Sequence, residues 1–136
     1  MVRLSSVAIP RSPPESVEVR VPPTPGMLAV LRAVVVSVGA RASLRDDEIE
    51  ECRLMVGEAA AMLLSANRDD DSRLVMTLSS SEDLLAIRLS CTGVPARAKL
   101  APEWSWRIIS SLADSVVREP AVVGTVVTMR RRRRSF

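Results

Sequence analysis

The chain has 136 residues, 47% of them hydrophobic, and a formal net charge of +3. That length supports one domain with a modest core, and the composition excludes a chain that is disordered throughout. There is no histidine and there are two cysteines, Cys52 and Cys91, which excludes histidine acid–base and triad chemistry, a disulfide framework and a cysteine–histidine zinc site. Both cysteines are read as buried or partly buried thiols.

The charge is uneven. Five arginines stand together from Arg130 to Arg134. Without them the remaining chain is slightly acidic, so the basicity is local and gives no whole-surface nucleic-acid footprint. Residues 1–15, with Pro10, Pro13 and Pro14, read as a flexible arm without the apolar core of a signal peptide. The longest apolar stretch, Met27 to Ala40, is too short to span a bilayer and carries Arg32. The expectation is a cytoplasmic protein with no membrane contact, organised as the arm 1–15, one domain over 16–130 and a basic tail over 131–136.

In chain order, Val17 to Val21 alternates apolar and charged residues, the period of a half-buried strand. Pro22, Pro23 and Pro25 end it. Met27 to Arg41 places Met27, Val30, Leu31, Val34, Val35 and Val38 on a helical stripe. A second helix is predicted from Asp46 to about Ser65, with Asp46, Asp47 and Glu48 in its first turn and Ile49, Cys52, Val56, Ala59 and Leu63 along one face. Arg73 to Ser79 and Leu84 to Ser90 read as a hairpin turning at Ser80 to Asp83. Cys91 to Pro102 is a loop. Ser105 to Val117 reads as a third helix with Trp106, Ile109, Leu112, Ala113 and Val116 inward, and Val122 to Met129 as the last strand. The order β-α-α-β-β-α-β predicts an α/β (α+β) two-layer sandwich, a mainly antiparallel mixed sheet with the helices on one face.

Arg32, the run Leu54-Met55-Val56-Gly57-Glu58, Leu112-Ala113-Asp114 and Gly124-Thr125, in this order and spacing, resemble the RsbW/SpoIIAB group of anti-sigma factors. These are serine kinases of the histidine-kinase-like ATPase superfamily, and the likeness is greatest to the divergent actinobacterial branch. It covers Ser16 to Arg130 and implies a Bergerat-type fold. In the family, a glutamate polarises the attacking hydroxyl and an asparagine four residues on holds Mg²⁺. Glu58 matches the glutamate, a general-base position, but Met62 stands at the asparagine, and a thioether is a poor ligand for Mg²⁺. Cys91 replaces the aspartate that binds the adenine amine. Gly93 is kept, and Pro95 replaces a second glycine. Glu103-Trp104-Ser105 replaces the glycine-rich approach to the phosphates, and Gly124-Thr125 survives. The resemblance therefore implies a degenerate ATP site and a chain with no cofactor, ATP and Mg²⁺ being the pair whose site is damaged.

The resemblance also implies partners. Arg32 matches an arginine of the first helix that pairs with an acidic residue of a sigma factor. The implied function is an anti-sigma factor that sequesters an alternative, stress- or sporulation-type sigma factor and is released by an antagonist with a STAS domain. A homodimer is implied, and direct DNA binding is not. The alternative is an active ATP-dependent serine/threonine kinase that phosphorylates the antagonist, which needs positioned Mg·ATP as well as a base. A third reading is a partner-regulated adaptor without a sigma target. Plainer readings stand beside these. Glu58 and Arg32 each also fit solvated helix positions. Trp104 fits a plug of the old pocket or ordinary packing, and Cys91 a redox sensor or an inert loop thiol. The arginine run fits a solvated terminus or a nucleic-acid or polymerase tail.

Overall fold

The computed structural model describes residues 15–134, so the expected arm lies outside the described residues except for Glu15. Strand β1 is Glu15–Val21, followed by a single 3₁₀ turn, Pro25–Met27. Helices α1 (Leu28–Arg41) and α2 (Asp46–Ala66) come next. They lead to strands β2 (Leu74–Ser80) and β3 (Leu84–Cys91), helix α3 (Glu103–Leu112), and strands β4 (Ser115–Pro120) and β5 (Thr125–Arg132). The five strands form one sheet in the order β1-β2-β3-β5-β4, and every neighbouring pair is antiparallel. The sheet is therefore not mixed as expected.

Period-2 alternation sends one side chain in two to the core. Leu74, Met76 and Leu78 of β2 meet Leu85, Ile87 and Leu89 of β3 and Val127 and Met129 of β5, all at most 1% exposed. The α2 stripe Ile49, Cys52, Val56, Ala59 and Leu63 is buried against this layer as predicted, together with Leu31, Val35 and Val38 of α1. Each large apolar side chain buried this way contributes about 1.5–3 kcal/mol. The result is a two-layer α+β arrangement with α2 between α1 and α3. Val30, placed on the α1 stripe by the sequence, is instead 42% exposed.

Two further expectations change. The third helix ends at Leu112, where the N–H of Ala113 donates to the Ile109 carbonyl and Ala113 turns extended. Asp114 then donates its N–H to the Arg130 carbonyl, and Ser115–Pro120 joins the sheet as β4. The β-branched pair Val116-Val117 fits a pleated edge better than a helix, and Val116 registers against Met129. The tight return to β5 places Gly124 at φ +86, where a side chain would collide with the Cys91 carbonyl. Val122 and Val123, predicted to lie in the last strand, form the exposed turn.

The second change concerns the arginine run. Strand β5 continues through Arg132, so residues 131 and 132 are sheet and not tail. Alternation turns Arg131 inward to 2% exposure. Its guanidinium donates to both carboxylate oxygens of Glu51, at 3.1 and 3.2 Å, and to the Leu112 carbonyl at 2.8 Å. The N–H of Arg134 donates to Glu48 Oε2 at 2.9 Å, and the N–H of Arg45 donates to Glu48 Oε1 at 3.0 Å. The run thus clasps the start of α2. Burial alone would raise the Glu48 carboxyl, but the N–H groups of Arg134 and Arg45 and the charges of Arg45 and Arg131 outweigh it and hold it below its usual value.

Candidate functional site

Helices α1 and α2 leave a surface groove of about 430 Å³ between them, lined by Leu28, Arg32, Glu50, Arg53, Leu54, Gly57, Glu58 and Ala61. Arg32 is half-buried. A Cβ placed on Gly57 would lie 2.6 Å from Arg32 Nη2 and 3.0 Å from its Nε, so the guanidinium covers that glycine. Among the described residues Arg32 makes no hydrogen bond and no ion pair. Arg53 donates from Nη1 to Glu50 at 2.8 and 3.0 Å, while its buried Nε has no partner. Leu54 stands 48% exposed at the groove. Along α1, Ala29, Val30, Ala33, Val36, Ser37 and Ala40 are exposed, so its outward face carries no charge until Arg41.

Glu58 shares the groove, but its carboxylate is drawn to α3. Ser105 is 2% exposed, and its Oγ–H donates to Glu58 Oε2 at 2.7 Å. The structure thus joins two sequence-predicted positions directly. Met62, one turn further along α2, points into the hydrophobic core at 1% exposure. It faces neither Glu58's groove nor solvent. Glu103 is exposed in the first turn of α3. Trp104 is 64% exposed and fills no cavity, which corrects the expectation of a plug. Trp106 is the inward indole: it packs against the core, and its Nε1–H donates to the Leu100 carbonyl at 2.9 Å.

Cys91, Gly93, Gly124 and Thr125 come together at one end of β3 and β5. The Cys91 thiol donates to Asn67 Oδ1 at 3.5 Å, and Ser72 Oγ–H donates to the same oxygen at 3.0 Å. The Arg68 N–H donates to the Gly93 carbonyl at 2.8 Å. Thr125 Oγ1–H donates to the Pro95 carbonyl at 3.2 Å. A Cβ on Gly93 would collide with Asn67 Oδ1 and come within 2.8 Å of Ser72 Oγ. The segment between α2 and β2 is therefore packed tightly onto the loop after β3. At 1% exposure Cys91 is a buried structural thiol, which counts against a redox sensor.

Sequence reasoning missed Asn67 and Ser72, which reach this cluster only through tertiary packing. It quoted Gly57 as part of a motif without a role. The available signal was a glycine in the middle of a strong helix, which costs about 1 kcal/mol against alanine unless something needs the space. Among the described residues no group of histidine, cysteine and carboxylate side chains is placed to hold a metal ion, and no helix is long and apolar enough to cross a membrane. Comparison with protein-family models gives no match, and comparison with curated proteins gives none either.

Proposed function

We propose that the chain is a protein-binding regulator on a histidine-kinase-like ATPase scaffold: an anti-sigma factor that sequesters an alternative sigma factor without needing ATP. The observation that carries this reading is Arg32, a guanidinium unpaired among the described residues, in an open groove beside an uncharged helix face. A charged donor set beside an apolar helix face is the chemistry of an interface anchor. The antiparallel sheet with its helix layer is compatible with the Bergerat-type fold that the sequence resembles.

Loss of ATP chemistry is part of the proposal. Met62 sits in the core, where the resemblance requires an Mg²⁺ ligand. Cys91 and Gly93 are tied up by Asn67, Ser72 and Arg68, where it requires room for adenine. The Glu58 carboxylate, the general-base position, already accepts a hydrogen bond from a buried serine. Release by a STAS-domain antagonist and assembly as a homodimer belong to the same reading.

The test is quantitative binding of the full chain to the alternative sigma factors of its own genome, beside Arg32→Ala. One sigma factor is expected to bind, and the variant to weaken it by about tenfold or more. Unchanged affinity in Arg32→Ala removes the contact. Phosphate transferred from ATP to a serine of the antagonist would restore the kinase reading.

A further inference from the structure

We infer that Gly57 is a positioning residue: its bare Cα seats the Arg32 guanidinium against α2 and so holds an unpaired cation ready for a carboxylate on a partner's amphipathic helix. This rests on reading the groove as a docking surface.

Three independent observations lead there. Gly57 lies inside a 21-residue helix, where glycine is unfavourable, so its presence calls for a physical reason. The three nearest heavy atoms that a Cβ there would meet all belong to Arg32: Nη2 at 2.6 Å, Nε at 3.0 Å and Cζ at 3.3 Å. An alanine Cβ would force the guanidinium, the flexible end of a long side chain, to shift from this seat. The second observation is the charge that stays free. Glu50 and Glu58 both line the groove, yet neither pairs with Arg32. Glu50 is engaged by Arg53 and Glu58 by Ser105 Oγ–H. Neither carboxylate is turned to Arg32, so among the described residues the guanidinium keeps its donors for an external acceptor.

The third observation sets the class of partner. Leu28, exposed Leu54 and Ala61 line the groove together with Glu50, Arg53 and Glu58, and the adjoining α1 face is built of Ala29, Val30, Ala33 and Val36. Small apolar residues allow a helix to approach closely, and a cation flanked by them favours one carboxylate among apolar side chains. A bare inorganic anion would leave the apolar border exposed. Lysine could not replace Arg32, because an ammonium has no flat face to lay on the glycine.

The experiment follows the Arg32 Nε–Hε resonance of the isotope-labelled full chain. The probe is a helix-forming peptide of about 16 residues with one aspartate among leucines and alanines. Its asparagine counterpart and inorganic phosphate serve as comparisons. The aspartate peptide is expected to shift the Arg32 resonance saturably, and the asparagine peptide to bind roughly tenfold more weakly. Gly57→Ala, with its backbone spectrum retained, is expected to lose about tenfold as well, and Arg32→Lys to behave alike. Gly57→Ala binding the peptide as tightly as the native chain would overturn the seat while leaving the docking reading intact. An Arg32 resonance that ignores the aspartate peptide would overturn the carboxylate receptor, whatever the sigma-factor assay gives. Phosphate shifting Arg32 as strongly as the peptide would overturn the helical partner.

Discussion

Glu51→Ala is expected to destabilise the protein by about 3 kcal/mol, because it strands the Arg131 guanidinium. Arg131 is 2% exposed, and Glu51 supplies two of its three hydrogen bonds. Breaking a buried pair by removing one partner costs about 3–5 kcal/mol. The lower end applies because Glu51 is 22% exposed and the Leu112 carbonyl remains. Arg131→Met behaves differently. It removes the buried charge, leaves Glu51 able to hydrate, and forfeits mainly the bond to Leu112, a loss of about 1 kcal/mol. In the double variant the stranded charge is gone, so its stability should return to within about 1 kcal/mol of Arg131→Met alone. Urea unfolding followed by tryptophan fluorescence measures all three, and Glu51→Ala should lower Tm by about 10 °C. A Glu51→Ala loss below about 1 kcal/mol would refute the clasp and return the arginine run to a solvated terminus.

The same clasp predicts an acid limit. The folded-state pKa of Glu48 lies below its ordinary 4.5, so its contribution is complete above that ordinary value and is lost as pH falls through the folded-state value. Glu48→Gln should flatten the stability profile on the acid side of pH 4.5, as read by urea midpoints; an unchanged slope would show that Glu48 is not the group responsible. The thiols give a chemical test. Burial pushes Cys52 up to about 11, and Cys52 and Cys91 are 0% and 1% exposed. Neither should react with a thiol reagent near pH 8 in the native protein, and both should react after unfolding; rapid native labelling of Cys91 would reopen a redox role.

Most of the fold was legible because apolar period survives tertiary context. The α2 stripe from Ile49 to Leu63 and the alternation of β2 and β3 each had enough residues to fix a face. The errors cluster where a short segment carried two readings. Val116 fits both the stripe of α3 and the pleat of β4, and only pairing with Met129 decides between them. The arginine run looked solvated because a run of like charge usually is, whereas strand alternation buries its second member against Glu51, a residue 80 positions away. The site was legible as positions and not as contacts. Arg32 and Glu58 could be singled out from their motif spacing. That Glu58 turns to Ser105 while Arg32 lies unpaired on Gly57 depends on how α1, α2 and α3 pack, which no local pattern encodes.

The central claim is partner binding that does not require nucleotide. Its most direct test is a pull-down of the tagged full chain from its own cell extract, with and without Mg·ATP, read by mass spectrometry and repeated with Arg32→Ala. The account predicts the same sigma factor in equal amount under both conditions and its loss in the variant. A sigma factor retained only with Mg·ATP, or none under either condition, would contradict it.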